Sequence, residues 1–155
     1  MSVDVHWYLP GYIIYSYDEL TVENRTERNR KIWQLLETGG QPPKVHVLID
    51  FNSTGHGNYT MNLQKMTERQ ETNPELKQSV QQLAEHPLLG WVVSIGEGNP
   101  ALTTAATVLA VRNKYRRQSV ATLADALEFL KRADSSLIDK LPKPTPPTPG
   151  EESTG

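Results

Sequence analysis

The chain has 155 residues, 37% of them apolar, which suits one domain able to bury a sizeable core. Its net charge of −2, with acids and bases interspersed, excludes the global basic footprint of a nucleic-acid binder. It contains no cysteine, which excludes disulfides, thiolate metal sites and thiol nucleophiles, and nothing points to an oxidising compartment.

The opening residues, MSVDVHWYLPGYIIY, carry an acid where a signal peptide has its positive charge, and their apolar run is too short. The longest low-charge stretch, Asn99 to Val111, falls well short of the roughly 20 residues a membrane span needs. A cytoplasmic protein without membrane insertion is expected.

Val3 to Leu9 and Tyr12 to Tyr17 are β-rich runs around Pro10-Gly11. Proline presets φ and glycine supplies positive φ, so an antiparallel hairpin with its first strand at a sheet edge is expected. Trp7, Leu9, Ile13 and Tyr15 are candidates for its inner face. Thr21 resembles a helix N-cap, and the segment to Thr38 is polar in its first half. Only its second half, with Ile32, Trp33, Leu35 and Leu36, carries a strong apolar stripe. Gly39-Gly40 stops the helix and Pro42-Pro43 prevents its return. In the strand Lys44 to Phe51 the aliphatics Val45, Val47, Leu48 and Ile49 are nearly continuous, as expected of a strand covered on both faces, and it runs into the polar loop Asn52 to Tyr59.

Thr60 is placed to cap a second helical region containing Met61, Leu63 and Met66. Asn73-Pro74 restarts it as a cap plus first-turn proline, with Leu76, Val80, Leu83 and Ala84 at helical spacing. Gly90 to Ile95 reads as another buried strand, and Asn99-Pro100 opens a largely apolar helix to about Tyr115. Arg116 to Ala121 is a short last strand. Thr122 with Asp125 resembles a capping box for a final helix lined by Leu123, Ala126, Leu127 and Leu130.

From Ser135 onward the composition turns to proline, threonine and charge. The expected organisation is an α/β domain over residues 1–134, followed by a disordered, partly polyproline-like tail over 135–155. The domain is a single layered one, with a mostly parallel sheet of about five strands in the order β-β-α-β-α-β-α-β-α. Strands alternating with helices imply parallel pairing through right-handed crossovers.

That order resembles the STAS fold of anti-sigma-factor antagonists and sulfate-transporter tails. VHVLIDFNS resembles its central strand, and LGWVVSIGEGNPAL its next strand and the turn into a helix. The WYLP opening, the Asn62-Leu63 pair and the segment His86 to Trp91 are similar to a group of bacterial STAS-like proteins. The resemblance covers Val3 to Asp134. It implies a non-enzymatic regulatory or protein-interaction module that binds another protein, or a second copy of itself, through the loop after the central strand and the following helix. The candidate residues are Asp50, Ser53, His56, Asn58, Thr60 and Asn62. Phosphoregulated members carry Asp-Ser-Ser-Gly in that loop, where this chain has Asn58-Tyr59-Thr60-Met61. Thr60 is therefore either a phosphosite or a plain helix cap, and a helix N-terminus favours added negative charge in either case. A small apolar-ligand or nucleotide-binding protein of the same fold is the alternative.

Other chemical signals are weaker. His46 alternates with buried aliphatics and reads as a satisfied core histidine. His56, between glycines, could pair with Asp50 as acid and base, but the chain lacks the ligand spacing of a metal site. Asp50 reads either as a cap for its own loop or as a ligand or partner contact. Ser53 lacks a nucleophile elbow. Gly96 to Ala101 resembles a dinucleotide turn, but no acid follows for a ribose, and a tight strand–helix turn fits better. Arg112, Lys114, Arg116 and Arg117 form the one basic cluster and suit a solvated helix terminus. No cofactor or metal is expected.

Overall fold

The computed structural model describes residues 3–17, 22–51, 73–96, 107–108, 110–111 and 114–141. It is an α/β fold with a five-stranded mixed sheet: β1 (Val5–Leu9), β2 (Ile13–Tyr17), β3 (Val45–Asp50), β4 (Leu89–Ile95) and β5 (Arg116–Val120). The strands lie in chain order, with β1 antiparallel to β2 and all later pairs parallel. Among the described residues the helices with both ends defined are α1 (Val22–Gly39), α2 (Pro74–Ala84) and α3 (Leu123–Ala133), with a short 3-10 turn at Ser135–Leu137, and residues 107–108 and 110–111 are also helical. Among the described residues, no helix is long and apolar enough to cross a membrane.

The hairpin turn forms as its two central residues require. Gly11 has φ +88° and the Tyr12 amide donates to the Leu9 carbonyl at 2.9 Å. Both sheet faces are covered, so the hairpin has no single inner face. Trp7 packs with Ile14, Ile32, Leu36, Val45 and Val47 on the α1 side. Leu9, Ile13 and Tyr15 pack with Leu48, Val93, Ala126 and Leu130 on the α3 side. Each fully buried Leu or Ile in these layers contributes about 1.5–3 kcal/mol.

Two caps expected from sequence are in place. The Asn73 side chain accepts from the Leu76 amide at 2.9 Å, and the Thr122 hydroxyl from the Asp125 amide at 3.1 Å. The polar half of α1 differs from expectation. Thr26, Arg28 and Asn29 are buried, and Thr26, Asn29, Ile32 and Leu36 continue one helical stripe. That stripe faces α2 through hydrogen bonds. Asn29 Nδ2 donates to Ser79 Oγ at 3.2 Å, Ser79 Oγ donates to the Leu76 carbonyl at 2.8 Å, and Arg28 Nη2 donates to Asn29 Oδ1 at 3.2 Å. A buried amide and hydroxyl satisfied this way avoid the desolvation penalty of an orphaned polar group.

His46 is a core histidine, 2% exposed, that joins three elements. Its Nδ1 accepts from the Trp91 amide at 3.0 Å, which places the proton on Nε2 for donation to Asp134 Oδ2 at 2.9 Å. β3, β4 and the end of α3 are thereby tied together. Burial raises the Asp134 carboxyl pKa, but hydrogen bonds from Ser136 and His46 outweigh it and hold the carboxyl below its usual value. A depressed carboxyl contributes stability above its unfolded value of 3.8 and loses it as pH falls through the lower folded value. Asp134→Asn should flatten the acid limb of the stability–pH curve, read by denaturant midpoints from neutral to acid pH. An unchanged acid limb would contradict this.

His86 makes a second fastening. Nδ1 accepts from the Leu88 amide at 3.0 Å and Nε2 donates to Glu37 at 3.1 Å, pinning the end of α1 to the turn before β4. The chain also stays packed beyond Asp134. Leu137 is fully buried and Leu141 is 4% exposed, both in the α3-side core. The tail expected from Ser135 thus has its first residues in that core, while its proline-rich part, residues 142–155, lies outside the described residues.

Candidate functional site

The parallel strands end in one row. Tyr17 pairs with Asp50, Asp50 with Ile95, and Ile95 with Val120. The Phe51 amide donates to the Ile95 carbonyl at 2.9 Å and the Gly96 amide to the Val120 carbonyl at 2.8 Å, so the pairing continues into the first residue of each exit loop. Gly96, at φ +73°, turns the chain out of β4 there. In open α/β sheets this carboxyl end is where ligands and partners are held.

Asp50 is the charged side chain of that row. Its Oδ2 accepts a hydrogen bond from the Tyr15 hydroxyl, which reaches it from the neighbouring strand on the α3 side. Tyr15 is the centre of an aromatic group. His6 stacks on it at 5.6 Å between ring centres and Tyr8 at 6.4 Å, while Tyr17 meets it edge-on at 5.4 Å. Tyr8 is 38% exposed, and Tyr15 and Tyr17 are half-buried. His6 Nδ1 lies 3.0 Å from Asp4 Oδ1 at the solvent side. Edge-on and offset rings of this kind stabilise one another beyond their buried area.

Burial raises the Tyr15 hydroxyl pKa, and the hydrogen bond to Asp50, the Asp50 charge and the neighbouring Tyr17 and Tyr8 raise it further, well above the ordinary value of 10.0. Stability from a raised phenol is fully present below that ordinary value and is lost as pH rises through the folded one. In an alkaline titration followed by phenolate absorbance, Tyr15 should be among the last tyrosines to ionise, with Asp50→Asn shifting it earlier. A titration identical in the two proteins would contradict the pair.

This arrangement presents a carboxylate and several π faces on one side of a sheet end. It can accept hydrogen bonds and attract a cation or a flat apolar group. Of the candidate residues, only Asp50 lies within the described chain. Ser53, His56, Asn58, Thr60 and Asn62 lie outside the described residues, as does most of the expected helix from Asn99 to Tyr115. In the described part of that helix, Ala110 is buried and Val111 is 74% exposed.

Sequence reasoning missed the partnership of Asp50 with Tyr15, and the roles of His6, Tyr8 and Tyr17 around it. A usable signal was the alternation Tyr15-Ser16-Tyr17, which puts two tyrosines on one face of a strand beside the central one. Two members of the basic cluster have partners on β4. Arg116 sits 5.8 Å from the Trp91 ring centre, and Arg117 Nη2 donates to Ser94 Oγ at 3.3 Å. Among the described residues, no three His, Asp or Glu side chains are grouped to hold a metal ion. The chain matches no protein-family model, and comparison with curated proteins and with solved structures returns no match.

Proposed function

We propose that this chain is a STAS-like, non-enzymatic regulatory module. It binds a partner protein at the carboxyl end of its parallel strands, with Asp50 in the contact. The observation that carries this reading is the Asp50 carboxylate, held by Tyr15 at the end of the central strand beside partly exposed aromatic rings. A sheet that runs β1 to β5 in chain order, antiparallel only at its first pair, is consistent with it. So is the placement of α1 and α2 with one face of the sheet and α3 with the other, which leaves the strand ends to the connecting loops.

Native mass spectrometry of the full chain purified from its source cells tests the class of function. The expected result is a stoichiometric complex with a second protein chain. A co-purified small molecule in place of a protein would replace this reading with a ligand carrier. Turnover of a substrate by the purified chain would overturn the non-enzymatic assignment.

A further inference from the structure

We propose that the tyrosine face of the β1–β2 hairpin is the docking site of the chain's own proline-rich segment, residues 142–149. The face includes the rings beside Asp50 used in the partner-binding reading above, so a docked segment and a partner would compete there; the docking itself does not rest on that reading.

The face and the segment match chemically. Tyr8, Tyr15 and Tyr17 present rings on one side of the hairpin, with His6 stacked on Tyr15 and the Asp50 carboxylate at their end. Aromatic surfaces are the standard receptors for polyproline segments, whose preformed shape costs little entropy to bind. Residues 142–149 read PKPTPPTP, so five prolines accompany a single base, Lys143. Proline rings suit the tyrosine faces.

The tether is in the right place. Leu141 is buried in the core that Leu9, Tyr12 and Tyr15 pack against. Lys140 Nζ stands 4.8 Å from the Tyr12 ring centre. The chain therefore leaves the core beside the start of β2, on the side that carries the aromatic group. From Tyr12 to Tyr17 a strand covers about 17 Å at roughly 3.3 Å per residue. Residues 142–149 in polyproline form cover about 25 Å at roughly 3.1 Å per residue, enough to run the length of the face. A short tether gives an effective concentration of about millimolar, so weak stacking contacts suffice to keep the segment docked.

The absence of cysteine from the full chain allows a single nitroxide label at Gly150→Cys. Paramagnetic broadening of amide NMR signals then reports where the segment lies. The expected result is relaxation several-fold faster at Tyr8, Tyr15 and Tyr17 than at Leu35 and Leu36 on the α1 side, independent of protein concentration. Tyr8→Ala, at a partly exposed edge position, and the paired change Pro146→Gly with Pro147→Gly should each reduce the effect at Tyr15 and Tyr17. Equal broadening on both sides of the sheet would overturn the proposal, as would hairpin broadening that neither substitution alters. Broadening that grows with protein concentration would assign the site to the tail of a second copy and overturn the intramolecular contact.

Discussion

Gly90→Ala is expected to cost about 3 kcal/mol of stability, the sum of an overpacking term and a broken buried hydrogen bond. The corresponding fall in Tm is roughly 10 °C. A Cβ at position 90 would stand 2.5 Å from His46 Nδ1 and 2.7 Å from its Cε1, with the Val45 carbonyl at 3.2 Å. The ring has nowhere to retreat. It is 2% exposed, and both its nitrogens are engaged, one by the Trp91 amide and one by Asp134. Displacing it leaves the Trp91 amide without its acceptor and Asp134 Oδ2 without its donor, which is why one methyl group carries so large a penalty. A double-mutant cycle isolates the cause. In a His46→Ala background, Gly90→Ala should cost far less, because the space the ring filled is vacant. Equal costs in both backgrounds would mean that the strain lies in the backbone of β4.

Leu137→Ala is expected to cost about 3 kcal/mol, as deletion of a fully buried leucine does when its surroundings cannot collapse. Leu137 is entirely enclosed within the cluster formed by Ile13, Leu48, Val93, Ile95, Ala126 and Leu130. The 3-10 turn that presents it is itself capped, with Asp134 Oδ1 accepting from the Ser136 amide at 3.1 Å and from the Ser136 hydroxyl at 2.6 Å. Ile138→Ala is the internal control. Ile138 is next in sequence but 46% exposed, and its replacement should change stability little. Urea midpoints for the two variants should differ clearly. Equal midpoints would place Leu137 outside the core.

The elements that sequence made legible are those with local signals. Pro10-Gly11 specifies its turn through two backbone conformations, and Asn73-Pro74 and Thr122 specify helix starts through a single side-chain bond each. The near-continuous apolar run of β3 predicts a strand covered on both faces, and His46 within it behaves as a buried histidine does. What sequence hid depends on partners far along the chain. The polar start of α1 reads as a solvated surface until Ser79, 50 residues away from Asn29, supplies its hydrogen bonds. Tyr15 and Asp50 are separated by 35 residues and meet only because β2 and β3 pair in one register. Leu137 was masked by the proline-rich composition that follows it, since a window average cannot see one leucine anchored in a core.

The candidate site was legible to the same degree. The strand end at Asp50 was visible as the place where an apolar run turns polar. The aromatic group beside it was not, because it is assembled from β1 and β2 across the sheet and gains its chemistry only from their alignment with β3.

Partner binding at the Asp50 end of the sheet can be separated by mutation from binding at the helical face. The most direct measurement is the affinity of the captured partner protein for two variants of the full chain. Asp50→Ala removes the carboxylate at the strand end, and Trp33→Ala removes a 39% exposed side chain on α1, which packs on the other side of the sheet. Loss of one charged or aromatic anchor in a contact typically weakens binding by about 2 kcal/mol or more, some thirtyfold. That loss is expected for Asp50→Ala, and no change for Trp33→Ala. Unchanged affinity for Asp50→Ala with weakened affinity for Trp33→Ala would place the interface on the helical side and contradict it.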